Sequence, residues 1–270
     1  MYEKHWKLDR KPFENSPDPE FLYYSDQHEE ALMRLLYAVR ERKGAAILTG
    51  EYGSGKTTIS RALVEKLRND DLYEVVLIPN PSLSANEFIA EILHQLNAGE
   101  IPSKKVAMLQ KLEEVLYRNL NNKRETVIII DEAQCIKRKD TLEELRLLLN
   151  FQMNDRFLLT LILVGQPEVK EKINQVKQFK QRLAVRFNLK LLEEKDTRKY
   201  IDYRLKIAGR DEPVFSNEAV HLIHTYAKGA PRDINNICDM SLLMGYVKKA
   251  DLVSDSIAKE VIEDLVSDFE

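Results

Sequence analysis

The sequence predicts an α/β fold: a parallel five-stranded sheet flanked by helices, followed by a small all-helical lid domain. Five short apolar runs alternate with longer segments in which apolar residues recur at helical spacing. Strands of a parallel sheet are buried on both faces, so they appear in a sequence as continuous apolar runs. After residue 192 only helical patterns follow. The sequence thus predicts an α/β domain over residues 1–192, including an N-terminal strap over 1–26, and a lid over 193–270.

Each element has its own sequence pattern. In the strap, prolines interleaved with Trp6, Phe13 and Phe21 favour an extended segment anchored by aromatic side chains. Ser84 and Glu87 have the spacing of a capping box, which predicts the start of a helix. The predicted strands cover residues 45–49, 75–78, 127–130, 158–164 and 187–191. The other predicted helices cover residues 27–42, 56–67, 103–120, 142–149, 193–208, 217–226, 234–246 and 257–266.

The composition is that of an ordinary globular protein. The 270 residues are 44% hydrophobic and 31% charged, with a formal net charge of -3, which gives no global attraction to nucleic acid or anionic lipid. Cys135 and Cys238 lack metal-ligand spacing, which argues against a zinc site or a disulfide framework. No segment has the pattern of a signal peptide or a bilayer span. We therefore expect a cytoplasmic protein with no membrane segment of its own.

The segment from Gly50 to Thr57 matches the phosphate-binding pattern G-x-x-x-x-G-K-[ST] at every fixed position. Its glycines let backbone N–H groups point inward, and the helix after the loop directs its positive end at the phosphates. Lys56 would reach the β- and γ-phosphate oxygens, and the Thr57 hydroxyl would bind Mg²⁺. A chance glycine-rich turn is the alternative, but a strand precedes the segment and a helix follows it. The predicted nucleotide-binding residues here are Gly50, Glu51, Tyr52, Gly53, Ser54, Gly55, Lys56, Thr57 and Thr58.

A second candidate is the acidic pair Asp131 and Glu132, which directly follows the third apolar run. At the carboxyl end of a parallel strand beside the phosphate-binding loop, Asp131 would hold Mg²⁺ through water, and Glu132 would polarise the attacking water. Such a pair is also common as a helix N-cap. Downstream of a complete phosphate-binding loop, the catalytic interpretation is favoured.

Four further polar residues are candidates. Gln166 follows the fourth predicted strand and could sense the γ-phosphate or orient water; the alternative is a turn residue. Arg182 and Arg186 lie just before the predicted fifth strand, where an arginine could act on a neighbouring subunit's nucleotide or simply be solvated. Arg232 opens a predicted lid helix and could fold over the phosphates, or lie on the surface.

These motifs together resemble the ExeA/GspA family of AAA+ ATPases, and the resemblance covers nearly the whole chain. It implies that Gln166 is at the sensor 1 position, Arg182 at the arginine-finger position with Arg186 close behind, and Arg232 at sensor 2. The matching segments are residues 12–13, 17–23, 28–32, 131–134 (Asp-Glu-Ala-Gln), 164–168, 181–183 and 229–232.

The resemblance implies an ATPase that uses Mg-ATP in a homo-oligomer to assemble or remodel a partner complex of the secretion or pilus-assembly type. ExeA-type proteins continue into a transmembrane helix and a peptidoglycan-binding region, beyond the part that this chain matches. Short relatives resemble TnsC/TniB-type transposition regulators, which assemble on DNA with ATP and recruit a transposase. The basic run over 137–139 is either a solvated loop or a contact to DNA phosphates. A third alternative is a nucleotide-gated interaction module that does not hydrolyse ATP.

Overall fold

The computed structural model describes residues 1–16 and 18–267, and the chain divides into two compact units. The sheet unit comprises Glu29–Glu51 and Ile59–Leu189, and the helical unit comprises Met1–His28, Tyr52–Thr58 and Lys190–Glu270. Pro17 of the N-terminal motif and residues 268–270 of the predicted lid lie outside the described residues. The division into domains at residue 192 stays a prediction.

The sheet unit contains the predicted five-stranded parallel sheet. Its strands are β1 (Ala45–Gly50), β2 (Tyr73–Ile78), β3 (Glu125–Ile130), β4 (Leu159–Gly165) and β5 (Leu183–Leu189), in the spatial order β2-β3-β4-β1-β5. Every pair is parallel, with Ile130 of β3 opposite Leu163 of β4, and Thr49 of β1 opposite Gly165 of β4. The carboxyl ends of β1, β3 and β4 therefore meet at one edge of the sheet.

Two cores cover the two faces of this sheet, because successive side chains of a strand point to opposite faces. Ile128 and Ile130 of β3 belong to one buried cluster, and Val127 and Ile129 belong to the other. The first cluster is closed by α3 (Ala85–Gln95), α4 (Lys105–Asn121), α5 (Lys139–Leu148), α6 (Glu168–Asn174) and α7 (Lys177–Arg182). The second is closed by α1 (Asp26–Arg40) and α2 (Lys56–Arg68).

The helical unit is built from α8 (Glu194–Ile207), α9 (Asn217–Ala227), α10 (Pro231–Val247) and α11 (Asp255–Ser267). The predicted aromatic anchors Trp6, Phe13 and Phe21 are all buried in its core. The Trp6 ring nitrogen donates to the carbonyl of Leu242 at 2.8 Å. Buried Arg204 of α8 donates to the backbone carbonyls of residues 12 and 14. The N-terminal strap is therefore a structural part of this unit.

The largest differences between the structure and the predicted elements concern β5 and two short helices. β5 begins at Leu183, four residues before the predicted start at 187. As an edge strand it alternates exposed and covered residues, so it has no continuous apolar run. The prediction that Arg186 precedes this strand is therefore wrong, because Arg186 lies within it. Helices α6 and α7 were not predicted, since neither is long enough for a helical period to show. The capping box of Ser84 and Glu87 is confirmed.

Candidate functional site

The glycine-rich loop, residues 50–58, has the local geometry that its pattern predicts. Strand β1 ends at Gly50, and α2 begins at Lys56. Gly53 and Gly55 have φ angles of 74° and 96°, in the region that side chains disfavour. The loop therefore turns sharply into the start of a helix, which is where backbone N–H groups gather to bind an anion.

Side chains of the helical unit crowd this loop from two directions. A Cβ atom added at Gly53 would lie 3.2 Å from the Cβ of Arg232, and one added at Gly55 would lie 3.0 Å from Nε2 of His28. Both glycines are thus required by close contacts as well as by their φ angles. The pattern alone predicts the glycines but not the residues that press on them.

The loop fits a phosphate group. Ser54 is only 1% exposed, and its Oγ has no hydrogen-bond partner among the described residues. A buried hydroxyl without a partner costs free energy unless a ligand or water satisfies it. Lys56 is also largely buried, at 6% exposure. Tyr52 is 60% exposed and lies at the outside of the loop.

His28 holds the loop at Ser54. Its Nε2 is 3.1 Å from the backbone oxygen of Ser54, and its Nδ1 is 2.6 Å from Oγ of Ser25. A neutral imidazole with its proton on Nε2 satisfies both partners, donating to the carbonyl and accepting from the hydroxyl. Burial lowers the pKa of His28, because the charged form would lose its hydration, while the Ser54 carbonyl opposes that shift. No spacing in the sequence marks His28 as a site residue, although it begins the 28–32 motif.

Arg232 reaches the same loop. It stands at the start of α10, directly after Pro231 at the first helical position. Its guanidinium lies 4.9 Å from the centre of the Tyr52 ring and donates a hydrogen bond to the Tyr52 hydroxyl. Arg232 therefore contacts the loop that is proposed to hold the phosphates.

The acidic turn, residues 131–134, follows β3 in the sheet unit. Asp131 is 5% exposed, and one of its oxygens accepts a hydrogen bond of 3.1 Å from the hydroxyl of Ser60 on α2. The other oxygen accepts from the Glu132 backbone N–H at 2.9 Å. Glu132 stands at the N-cap of a short 3₁₀ turn, but its side chain makes no capping bond. The alternative role as a helix cap is therefore not supported for Glu132.

Gln166 is joined to the acidic turn through its backbone. Its N–H donates to the side-chain oxygen of Gln134 at 3.0 Å, and the Gln134 side-chain nitrogen donates to the Glu132 carboxylate. The structure thus connects two predicted site residues through a third, Gln134, which was not itself predicted as a site residue and belongs to the 131–134 motif of the resemblance.

The two finger candidates are both engaged within the sheet unit. Arg182 ends α7 and donates to the Leu149 carbonyl and to the Asn150 side-chain oxygen, each at 3.1 Å. Arg186, in β5, donates to the carbonyls of Leu183 and Lys180. Each guanidinium would have to exchange these bonds to act on another subunit.

Comparison with known proteins yields a family and a relative. Residues 39–173 match the family model described as "AAA domain". General secretion pathway protein A of Aeromonas hydrophila is 36% identical over 254 residues, which cover 92% of this chain and 45% of that protein. The chain therefore spans less than half the length of this curated relative.

Solved structures share the fold. The ORC2 protein of Aeropyrum pernix, in ADPNP-ADP complexes, has a TM-score of 0.70 at 17% identity, with 95% of this chain and 71% of that chain covered. The RuvB Holliday junction branch migration motor of Thermotoga maritima has a TM-score of 0.60 at 18% identity, with 90% and 70% covered. At such identities the likeness concerns the fold alone, and it confirms the predicted fold class.

Proposed function

The chain belongs to the AAA domain family, and from that premise we propose that it binds ATP with Mg²⁺ and hydrolyses it to ADP and phosphate. Its relation to general secretion pathway protein A agrees with the resemblance to the ExeA/GspA family. We propose that hydrolysis drives the assembly or remodelling of a partner complex of the secretion or pilus-assembly type in the cytoplasm.

One observation carries this proposal: the complete phosphate-binding pattern has the loop geometry that the chemistry needs. Gly53 and Gly55 have positive φ angles, α2 starts at Lys56, and Ser54 keeps a buried hydroxyl without a partner among the described residues. Backbone amides and a helix N-terminus together favour a polyanion such as a triphosphate.

In the proposed reaction, water attacks the γ-phosphorus while Glu132 accepts its proton, and the bond to the bridging oxygen breaks to release ADP. Lys56 and the backbone of the loop bind the phosphates. Gln166 orients the water from sensor 1, and Arg232 acts from sensor 2.

Thr57 and Asp131 are the proposed magnesium ligands. Asp131 accepts from Ser60, which follows Thr57 by three residues on α2. Among residues 1–16 and 18–267, no group of three or more His, Cys, Asp or Glu side chains could hold a metal ion. Two protein oxygens are enough for Mg²⁺, because this ion keeps several waters and takes further oxygens from substrate phosphates.

The proposal is tested by separating binding from turnover. We expect Lys56→Ala to abolish nucleotide binding in calorimetry, and Glu132→Gln to keep binding while turnover falls by about 100-fold or more. Exposed residues of α2 give matched controls, Lys66→Ala and Glu65→Gln, which should behave as wild type. If the folded wild type binds no ATP or ADP, the proposal fails.

We propose that the active form is a homo-oligomer in which Arg182 completes a neighbour's site, with Arg186 as the alternative finger. Turnover per subunit should then rise with protein concentration, and Arg182→Ala should remove that rise. If Arg182→Ala kept both the wild-type turnover and its rise with protein concentration, Arg182 would be excluded as the finger, and the same measurement on Arg186→Ala would decide the alternative.

The alternatives to the secretion role are separable in solution. A transposition regulator should bind DNA only with ATP, and its affinity should fall steeply with salt, because phosphate contacts release counterions. An interaction module that does not hydrolyse ATP should bind nucleotide and release no phosphate. An ATPase that binds no DNA supports the secretion or pilus-assembly proposal.

A further inference from the structure

The side chain of Gln134 joins the acidic turn to the segment after β4. Its amide nitrogen donates to the Glu132 carboxylate, and its amide oxygen accepts from the backbone N–H of Gln166. Each end of the amide therefore holds a different part of the proposed site. Both contacts lie within the sheet unit.

The surroundings leave this amide little freedom. A Cβ atom added at Gly165 would lie 2.6 Å from the Gln134 side-chain oxygen and 3.2 Å from its backbone nitrogen. The Lys172 ammonium of α6 donates to the carbonyls of Gln134 and Ile136, which fixes the backbone of the 3₁₀ turn. Gln134 is thus held from its backbone as well as from its side chain.

Glu132 itself has a costly backbone conformation. Its φ and ψ angles are 51° and 37°, in the left-handed region that a residue with a side chain disfavours. Such conformations persist where surrounding contacts over-determine them, and they cluster at functional sites. The contacts through Gln134 are among those that hold Glu132 in place.

We propose that Gln134 is a positioning residue for ATP hydrolysis: it orients the Glu132 carboxylate toward the attacking water and couples it to the turn that carries Gln166. This inference rests on the proposed ATPase function. A single donated bond fixes the rotation of the carboxylate and leaves the second oxygen to accept the water proton. Because the donor is a neutral amide, it orients the carboxylate without pairing it with a cation, which would weaken it as a base.

The coupling follows from the shared amide. Any displacement of the Gly165–Gln166 backbone moves the oxygen of Gln134, and the same rigid amide then moves the nitrogen that holds Glu132. A phosphate sensed at Gln166 would therefore change the position of the base as well.

Gln134→Glu separates the two contacts. The introduced carboxyl has the same length and keeps an oxygen for the Gln166 N–H, but when ionised it repels the Glu132 carboxylate instead of donating to it. At about pH 8 we expect kcat to fall by about 10-fold or more with little change in ATP affinity. As the pH is lowered, one proton shared by the two carboxyls restores a donor, so the turnover of the variant should recover relative to wild type.

A second variant and a control complete the test. Gln134→Asn stays neutral but is one methylene shorter, so we expect a lower kcat with no recovery at low pH. Gln110→Glu, at an exposed position on α4, should follow the wild-type profile. If Gln134→Glu fails to fold, Gln134→Asn decides, and a wild-type kcat in that variant overturns the inference.

The outcomes distinguish this inference from the function on which it rests. Absence of turnover in the wild type would remove the proposed hydrolysis and the inference together. Wild-type turnover combined with a Gln134→Glu profile parallel to wild type at every pH would overturn the role of Gln134 alone, as would an equal loss of kcat and of ATP binding in that variant.

Discussion

The glycine-rich loop and the acidic turn reach their shapes in opposite ways. The loop uses glycines at its two positive-φ positions, and side chains from distant parts of the chain, His28 and Arg232, press against it. The acidic turn places a glutamate at positive φ and holds it with polar contacts through Gln134. The shape of the loop is thus set by the backbone freedom of glycine and by packing, and the shape of the acidic turn is set by side-chain hydrogen bonds.

This difference predicts that ATP binding and the chemical step can be impaired separately, the first by changes in the loop and the second by changes in the acidic turn. A loop built from backbone N–H groups binds phosphate wherever its shape is kept, so changes to its packing should alter affinity. A turn that orients one carboxylate contributes to the chemical step, so changes to its contacts should alter kcat. Substituting one glycine within the loop and one glycine that contacts the acidic turn is the most direct way to test this contrast.

Among these glycine substitutions, we expect the largest effect from Gly55→Ala. The new methyl group would meet Nε2 of His28 at 3.0 Å while the backbone keeps a φ of 96°. The loop must therefore shift, and ATP affinity should weaken by about 30-fold, equivalent to about 2 kcal/mol. Calorimetric titration of the folded variant with ATP measures this loss.

Gly99→Ala separates crowding from strain. Gly99 also has a positive φ, of 79°, but an added Cβ would meet nothing within 4 Å. We expect a loss of about 1–2 kcal/mol in unfolding free energy with unchanged ATP affinity. Equal affinities for ATP in Gly55→Ala and wild type would show that the packing of His28 does not shape the loop.

Gly165→Ala should show the contrasting behaviour. Its methyl group would displace the side-chain oxygen of Gln134, 2.6 Å away, and so disturb Glu132. We expect kcat to fall by about 10-fold while ATP affinity changes by less than about 2-fold. Gly245→Ala, where a Cβ would lie 2.6 Å from the Trp6 ring, is equally crowded and should lower stability without lowering kcat per folded molecule. If Gly165→Ala changed ATP affinity instead of kcat, the proposed division between a loop that sets affinity and a turn that sets kcat would be wrong.

The sequence predicts the sheet well and its edge poorly. Strands β1, β3 and β4 are buried on both faces, so each is a continuous apolar run, and their predicted bounds lie within two residues of those observed. Strand β5 lies at the edge of the sheet, and its residues alternate in exposure. Its first half, including Arg186, therefore lacks the continuous apolar run from which a strand could be predicted. Local periodicity cannot show pairing that depends on position in the sheet.

The site shows the same limit. The phosphate-binding pattern is local, so Lys56 and the glycines are predicted from spacing alone. The partners His28 and Gln134 are separated from Ser54 and Gln166 by 26 and 32 residues, and their roles depend on tertiary contacts that spacing does not encode. Both residues lie in segments quoted for the family resemblance, which was the available signal for them.

Arg232 tests whether side chains that press on the loop also contribute to binding. Its guanidinium lies over the Tyr52 ring and also donates to the Tyr52 hydroxyl, a combination that the compact ammonium of lysine does not reproduce. We expect Arg232→Ala to weaken ATP binding by about 5-fold, or about 1 kcal/mol, and Arg232→Lys to recover only part of it. If Arg232→Lys bound ATP as tightly as wild type in the same titration, the positive charge alone would account for the role of Arg232.

The smallest expected effect concerns the acid sensitivity of the loop, through His28. Its pKa is lowered by burial, so the folded state keeps the imidazole neutral while the unfolded state takes up a proton below about pH 6.5. The stability contributed by the neutral form is therefore complete above that pH and is lost as the pH falls through the folded pKa. Melting temperatures at pH 7.5 and 5.5 measure this loss.

In His28→Gln, the amide can still donate to the Ser54 carbonyl but does not titrate. The drop in melting temperature between the two pH values should therefore be smaller than in wild type, by about 2 °C or more. His94→Gln, at an exposed position on α3, should keep the wild-type drop. An equal drop in melting temperature in His28→Gln and His94→Gln would show that the structure does not hold the His28 imidazole neutral. Protonation of His28 would then have no part in the packing of the loop.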